Sequence, residues 1–184
     1  GGCGFIGSAF MEIMLDNRKI EIINIDKISY CANKNVCKQY KDRYELIEGD
    51  VNDVFQLLKN RHTEIDYIYH FAAESHVDNS ISGPYPFIHS NINGTFNMLE
   101  YAKKYHKPIL IISTDEVYGS LSMDSPSSTE KDLLKPSSVY SSSKASADLL
   151  ALSYFRTFDT KVMLTRCCNN YGARQHDEKL IPTI

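Results

Sequence analysis

Along this chain apolar residues recur at helical spacing, then in strand-length runs, and the alternation repeats towards the C-terminal end. Ile6, Ala9, Phe10, Ile13 and Met14 share one helical face and predict a helix from Ile6. Ile20–Ile25 is short and rich in β-branched residues, a strand ending at Asp26, and Tyr44–Ile47 is a second, ending at Gly49-Asp50. Val54, Leu57 and Leu58 mark a short helix. Tyr67–Phe71 predicts a strand running into Ala72-Ala73-Glu74-Ser75. Ile88, Ile92, Phe96, Leu99 and Ala102 stripe a long helix, and Pro108–Ile112, the most apolar strand, delivers Ser113-Thr114-Asp115-Glu116. A helix over Tyr140–Phe158 and a strand over Val162–Thr165 follow.

Strands alternating with helices predict an α/β fold, a parallel sheet covered on both faces through right-handed crossovers. That is the doubly wound, Rossmann-type arrangement. Ser120–Ser138 has many Ser and Pro residues and little apolar periodicity, so it is a loop, which composition alone equally describes as a solvated linker. Both ends read as interior to a longer chain. Gly1-Gly2-Cys3-Gly4 is a turn that normally follows a buried strand, and Glu178–Pro182 reads as the start of a helix. The expectation is one dinucleotide-binding domain over residues 1–184, without the first strand of its sheet and without a C-terminal substrate domain.

Composition narrows the function. A chain of 184 residues has room for one proper core, and a net charge of −3 points to no partner. No basic run interleaves with aromatics, so a nucleic-acid partner is not expected. The longest apolar stretch, Ile109–Ile112, is strand-sized, and no signal peptide is visible, so a cytoplasmic protein with no membrane partner is expected. Cys3, Cys31, Cys37, Cys167 and Cys168 form no CxxC pair and no metal-ligand spacing, which predicts reduced thiols and no metal site.

Candidate chemistry sits where strands end. Gly1, Gly4 and Gly7 have the spacing of a phosphate-binding turn: the first permits the tight turn, the second lets pyrophosphate approach, the third lets the helix pack closely. Alone, such a triplet is equally an ordinary glycine turn. Asp26 ends the next strand at the distance where a carboxylate binds adenosine ribose hydroxyls. Asp50 suits an adenine edge or an exposed turn. Tyr140 and Lys144 lie four apart on one helical face, and an ammonium beside a phenol favours the phenolate. A surface pair is the ordinary alternative, but the upstream hydroxyls of Ser113-Thr114 supply the third group needed to hold a substrate oxygen. Asp115 and Glu116 are paired carboxylates or simply cap the strand end.

Taken together, Gly1-Gly2-Cys3-Gly4-Phe5-Ile6-Gly7, Asp26, Tyr140-Ser141-Ser142-Ser143-Lys144 and Asn169-Asn170-Tyr171-Gly172 resemble the extended short-chain dehydrogenase/reductase family. His70–Asp78 and Ser113–Gly119 are similar to its nucleoside-diphosphate-glucose 4,6-dehydratase branch, with Thr114-Asp115-Glu116 the discriminating element. The 4-epimerases of the family usually carry small or neutral residues at the positions of Asp115 and Glu116. The resemblance implies NAD as cofactor, a nucleoside-diphosphate-glucose substrate and a homodimer. It implies that Phe5 and Ile6, with the glycine turn, hold the pyrophosphate, that Asp26, Lys27, Ile28 and Ser29 hold the adenosine ribose, and that Asp50 and Val51 hold the adenine. Phe71, Ala72, Ala73, Ser75, Ser90 and Asn170 would line the cofactor. Ser75, Thr114, Asn169, Lys179 and Leu180 would meet the sugar nucleotide. Val139 and Ala173 stand where proline is common, and Asn79 where dTDP-glucose enzymes often have arginine, which leaves dTDP and UDP both open.

The implied chemistry is an internal redox cycle. Tyr140 removes the 4-hydroxyl proton as hydride leaves carbon 4, and Lys144 sustains the phenolate. Glu116 takes the carbon-5 proton, and Asp115 donates to the departing 6-hydroxyl. A 4-epimerase or decarboxylase on the same fold, and a non-catalytic NAD-binding regulator, are the rival readings.

Overall fold

In the computed structural model the described residues are 1–184, without the side chain of Leu180. Helix α1 (Phe5–Leu15) follows the glycine turn, then β1 (Ile22–Asp26), β2 (Tyr44–Glu48) and a short α2 (Val54–Leu58). Next come β3 (Ile68–His70), α3 (Val77–Ser82) and α4 (Tyr85–Phe87), which runs through a π turn (Ile88–Asn93) into α5 (Gly94–Lys104). Strand β4 (Ile109–Thr114), a 3₁₀ turn (Asp115–Tyr118), α6 (Val139–Phe158), β5 (Val162–Cys167) and α7 (Leu180–Thr183) complete the chain.

Every strand pair among the described residues is parallel, as the alternating pattern requires. The sheet nevertheless comes in two pieces, β1-β2 and β3-β4-β5. Between them runs a cleft of about 960 Å³, bounded by Ile22–Ile25 on one side and Tyr67–Phe71 on the other. Phe10, Met11 and Met14 of α1 line it. Gly1 spans its end: its amino group donates to the carbonyl of Ile25, and a Cβ on Gly1 would lie 2.3 Å from the amide nitrogen of Ala72. The cleft lies on the side of β1 away from β2 and on the side of β3 away from β4.

The main core lies between the larger sheet piece and α2, α5 and α6, with Leu99, Tyr101, Ile109, Ile111 and Ala151 fully buried. A second cluster under α1 holds Cys3, Met11, Leu15, Val36 and Cys37. The long helical stripe behaves differently from its sequence. Leu99 and Ala102 are buried, but Ile88 is exposed, because the π turn adds a residue to the helical repeat and rotates the face upstream of α5; Phe96, within α5, is exposed beside the buried row Thr95, Met98, Leu99 and Ala102. That rotation turns Ser90 and Asn91 inward instead.

Candidate active site

The candidate residues gather at the C-terminal ends of the parallel strands, where the chain leaves the sheet for a helix. At the glycine turn the packing explains the residue type. A Cβ on Gly7 would sit 2.6 Å from the Gly1 carbonyl oxygen and 2.9 Å from the Gly2 Cα, so only glycine lets α1 start this close beneath the turn. Gly4 caps α1 without a side-chain hydrogen bond, which leaves the first-turn amides, Phe5 and Ile6 among them, facing outward at the positive end of the helix. A Cβ on Gly4 meets only the Gly1 oxygen at 3.7 Å, so the space before that helix end is open. This cradle fits a pyrophosphate.

Asp26 fastens the turn to the end of β1. One carboxylate oxygen accepts from the Cys3 amide at 2.9 Å and the other from the Ile28 amide at 2.8 Å. Each oxygen keeps a lone pair for a ribose hydroxyl. Ile28 is held with φ of 52°, a left-handed backbone that a β-branched residue rarely adopts. Ser29 follows on the same loop. Lys27 reaches across the cleft to Glu74 at 2.6 Å and Ser90 at 2.9 Å, so it meets the loop after β3 and the π turn. Asp50 caps the 3₁₀ turn beyond β2 by accepting from the Asn52 amide at 2.9 Å. Val51 is buried in the core, so any ligand contact it makes falls to its backbone. Phe71 packs on Phe10 with ring centroids 5.1 Å apart, and Ala72 and Ala73 continue half-buried.

The second group is built on β4 and α6. Ser138 and Ser141 form a capping box that fixes the start of α6, one residue from Tyr140. Tyr140 is 8% exposed and its amide donates to the Ser80 hydroxyl at 3.3 Å, while Lys144 is 5% exposed. Thr114, at the end of β4, donates to Asp115 at 3.3 Å and accepts from the Glu116 amide at 3.3 Å, setting the 3₁₀ turn that carries both acids. Burial, with repulsion from Glu116, pushes the Tyr140 phenol up to about 12, and Thr114 opposes the rise. Burial pulls the Lys144 ammonium down to about 8, with Asp148 opposing.

Here one expectation is corrected. The ammonium does not hold the neighbouring phenol low, because the Lys144 Nζ donates to the Ile112 carbonyl at 2.6 Å and burial dominates at Tyr140. The paired carboxylates do interact: burial and then Asp115 raise Glu116, and Lys179 opposes. The raised carboxyl, Glu116, is the expected base. Lys179 also donates to the Ser75 carbonyl at 3.3 Å, so two expected substrate contacts meet beside the acid pair. Asn169 and Asn170 are exposed after β5, with Asn170 donating to the Cys168 carbonyl at 3.0 Å. The Leu180 side chain lies outside the described residues.

Sequence reasoning missed Asn91 and Ser80. Asn91 is buried and bonds the Glu74 backbone at 2.8 and 3.0 Å and the Ser143 hydroxyl at 2.8 Å, tying the loop after β3 to α6. Asn91 stands among His89, Ser90 and Asn93, so nothing in the sequence singles it out, and the π turn that aims it inward is not visible in the spacing.

A family model described as GDP-mannose 4,6 dehydratase matches residues 1–184. The chain belongs to that family. Its sequence is 41% identical to a dTDP-glucose 4,6-dehydratase of Mycolicibacterium smegmatis, over 99% of this chain and 55% of that protein. Its fold superposes with a TM-score of 0.91 on DesIV, the dTDP-glucose 4,6-dehydratase of Streptomyces venezuelae solved with NAD and TYD bound. That pair is 43% identical over 100% of this chain and 58% of the other. A UDP-glucose 4-epimerase of Thermus thermophilus, solved with NAD, superposes at 0.85 with 25% identity, over 96% of this chain and 56% of the epimerase. The chain thus spans a little over half the length of the relatives it matches. The dehydratase resemblance read from the motifs is borne out, and the epimerases stand further off. No helix among the described residues is long and apolar enough to cross a membrane.

Proposed function

We propose that the protein is an NAD-dependent dehydratase that converts a nucleoside-diphosphate-glucose to the 4-keto-6-deoxy sugar nucleotide, in deoxysugar synthesis of the rhamnose type. The observation that carries this reading is the buried Tyr140 facing a turn with two adjacent carboxylates, close enough for Glu116 to repel its phenolate. Bound NAD would supply a hydride acceptor that later returns the hydride. Residues 1–184 would form the cofactor domain, with Gly1, Gly4, Phe5, Ile6 and Gly7 on the pyrophosphate and Asp26–Ser29 on the adenosine ribose. Asp50 and Val51 would hold the adenine, and Phe71–Ala73, Ser75, Ser90 and Asn170 would line the rest. Lys144 keeps two N–H donors besides the one given to Ile112, and these would hold the nicotinamide ribose.

Tyr140 would take the 4-hydroxyl proton while Thr114 holds that oxygen. The resulting ketone acidifies carbon 5, Glu116 takes the carbon-5 proton, and Asp115 protonates the 6-oxygen, which leaves as water. A raised Glu116 suits this, since a carboxylate of higher proton affinity is the stronger base once ionised. Ser75, Asn169 and Lys179 would bind the sugar nucleotide. The dTDP-glucose relatives favour dTDP over UDP. Exposed Ile88 and Phe96 on the π turn and α5, and Leu149 and Phe155 on the adjacent α6, favour a homodimer formed through these two helices. The cytoplasm fits a sugar-nucleotide enzyme with free thiols.

The test is to incubate the full-length protein with NAD and either dTDP-glucose or UDP-glucose and weigh the product. Loss of one water supports dehydration. An isomer of unchanged mass would replace this reading with epimerisation.

A further inference from the structure

Strand β5 carries an anomaly. Val162, Leu164 and Arg166 point to the same face, and the first two pack on the main core, yet the third is a cation. Arg166 is paired in register with Ser113 of β4, immediately before the acid turn. Its Nε donates to Asp148 at 2.7 Å, and its Nη1 donates to the Tyr118 hydroxyl at 2.7 Å. Asp148 is fully buried, one helical turn beyond Lys144 on the face of α6 that also holds Tyr140. Tyr118 is the last residue of the turn that carries Asp115 and Glu116. One guanidinium therefore links the helix bearing the phenol to the turn bearing the acids.

Stability does not explain such a pair. Desolvating two charges commonly costs as much as their attraction returns, and apolar replacements of similar size are often as stable. What the fork does supply is geometry. A guanidinium donates from separate nitrogens held in one rigid plane and so spans two partners at a fixed angle, whereas an ammonium donates from a single rotating point. The acid turn is anchored at its start by the Thr114 hydroxyl, and beyond its end the backbone leaves through Gly119 at φ of 85° into an exposed loop. Besides Arg166, the far end of the turn is held by the packing of Val117, the Lys135 amide bond to the Val117 carbonyl and the turn's own Gly119 amide bond to the Glu116 carbonyl.

We propose that Arg166 is a positioning residue that sets the Asp115–Glu116 turn against α6 through Tyr118 and Asp148, and so aligns the eliminating acids with the sugar oxidised at Tyr140. This rests on the dehydratase reading above. Two variants separate positioning from stability. Arg166→Lys keeps a cation beside Asp148 but cannot also reach Tyr118, and Tyr118→Phe keeps the ring and removes only the hydroxyl. Both leave Lys144 and its charged neighbour Asp148 in place, so oxidation at carbon 4 should continue.

The experiment uses the full-length protein with NAD and dTDP-glucose labelled with deuterium at carbon 5. Single-turnover absorbance of reduced nicotinamide reads oxidation, and release of the label to solvent reads elimination. Each variant should slow label release by about three- to tenfold while oxidation is unchanged and Tm falls by no more than the loss of one hydrogen bond accounts for. The double variant should be no slower than either single one, because both remove the same link. Unchanged label release, effects that multiply in the double variant, or a parallel loss of oxidation would overturn the proposal. If Arg166→Lys fails to fold, Tyr118→Phe alone decides. Wild-type protein that releases no label and forms no dehydrated product would overturn the dehydratase reading, and the positioning role with it.

Discussion

The glycine turn allows a prediction in which neighbouring substitutions part company. A methyl group on Gly4 would meet only the Gly1 oxygen, at 3.7 Å, and otherwise project into the open space before α1. The protein should tolerate it: alanine is a poorer N-cap than glycine by about 0.5–1 kcal/mol, and at this extended backbone the restricted unfolded chain returns about 0.4–1 kcal/mol. A pyrophosphate approaching the first-turn amides would collide with it. Losing one charge-assisted hydrogen bond costs about 1.5–3 kcal/mol, so the NAD Kd should rise roughly 10- to 100-fold. On Gly7 the methyl faces inward. It would lie 2.6 Å from a backbone oxygen that ordinary contact keeps at 3.4 Å, so the turn must open by about 0.8 Å. Overpacking of that kind costs about 1–3 kcal/mol, against about 1 kcal/mol gained from replacing glycine by alanine in a helix. Gly7→Ala should therefore lose affinity and some stability, whereas Gly4→Ala loses affinity alone. Calorimetric titration with NAD and thermal melts without it check both. A Gly4→Ala protein that binds NAD like wild type, or that loses Tm in step with affinity, would refute the reasoning.

Other outcomes are expected of the full-length protein. Glu116→Gln should slow formation of the 4-keto-6-deoxy product by about 10² to 10⁴ while oxidation persists, seen as reduced nicotinamide without dehydrated product. Tyr140→Phe should abolish oxidation as well but leave NAD binding intact by titration. Asp26→Ala should narrow the preference for NAD over NADP, since the carboxylate repels a 2′-phosphate; an unchanged preference in competition binding would count against its ribose role. Lys144 is held at about 8, below its ordinary value, so its charged form is lost as pH rises through 8 and kcat/KM should fall on that side. The same shift means that the unfolded chain holds more protons between about 8 and 10.5, so stability towards urea from this group should rise with pH over that window.

The strands and the order of the motifs were legible because each rests on local pattern: short β-branched runs for β1 and β4, and a carboxylate ending β1. What the sequence hid is non-local or depends on backbone detail. The π turn changes which side of the helix Ile88 presents relative to α5, and no spacing rule signals the extra residue. The direction of the Lys144 ammonium depends on a carbonyl 32 residues away in β4. Arg166 and Asp148 look like surface charges in the sequence, and only the packing of β5 under α6 shows that they are buried together.

The π turn between α4 and α5 has a consequence for which changes of length the chain can absorb. Its extra residue turns Ser90 and Asn91 inward, and Asn91 then holds the Glu74 backbone and the Ser143 hydroxyl. Deleting one residue within Ile88–Asn93 would restore the plain helical repeat and swing that amide away from its partners. A shortening that elsewhere only rewinds a helix would here unfasten the loop after β3 from α6.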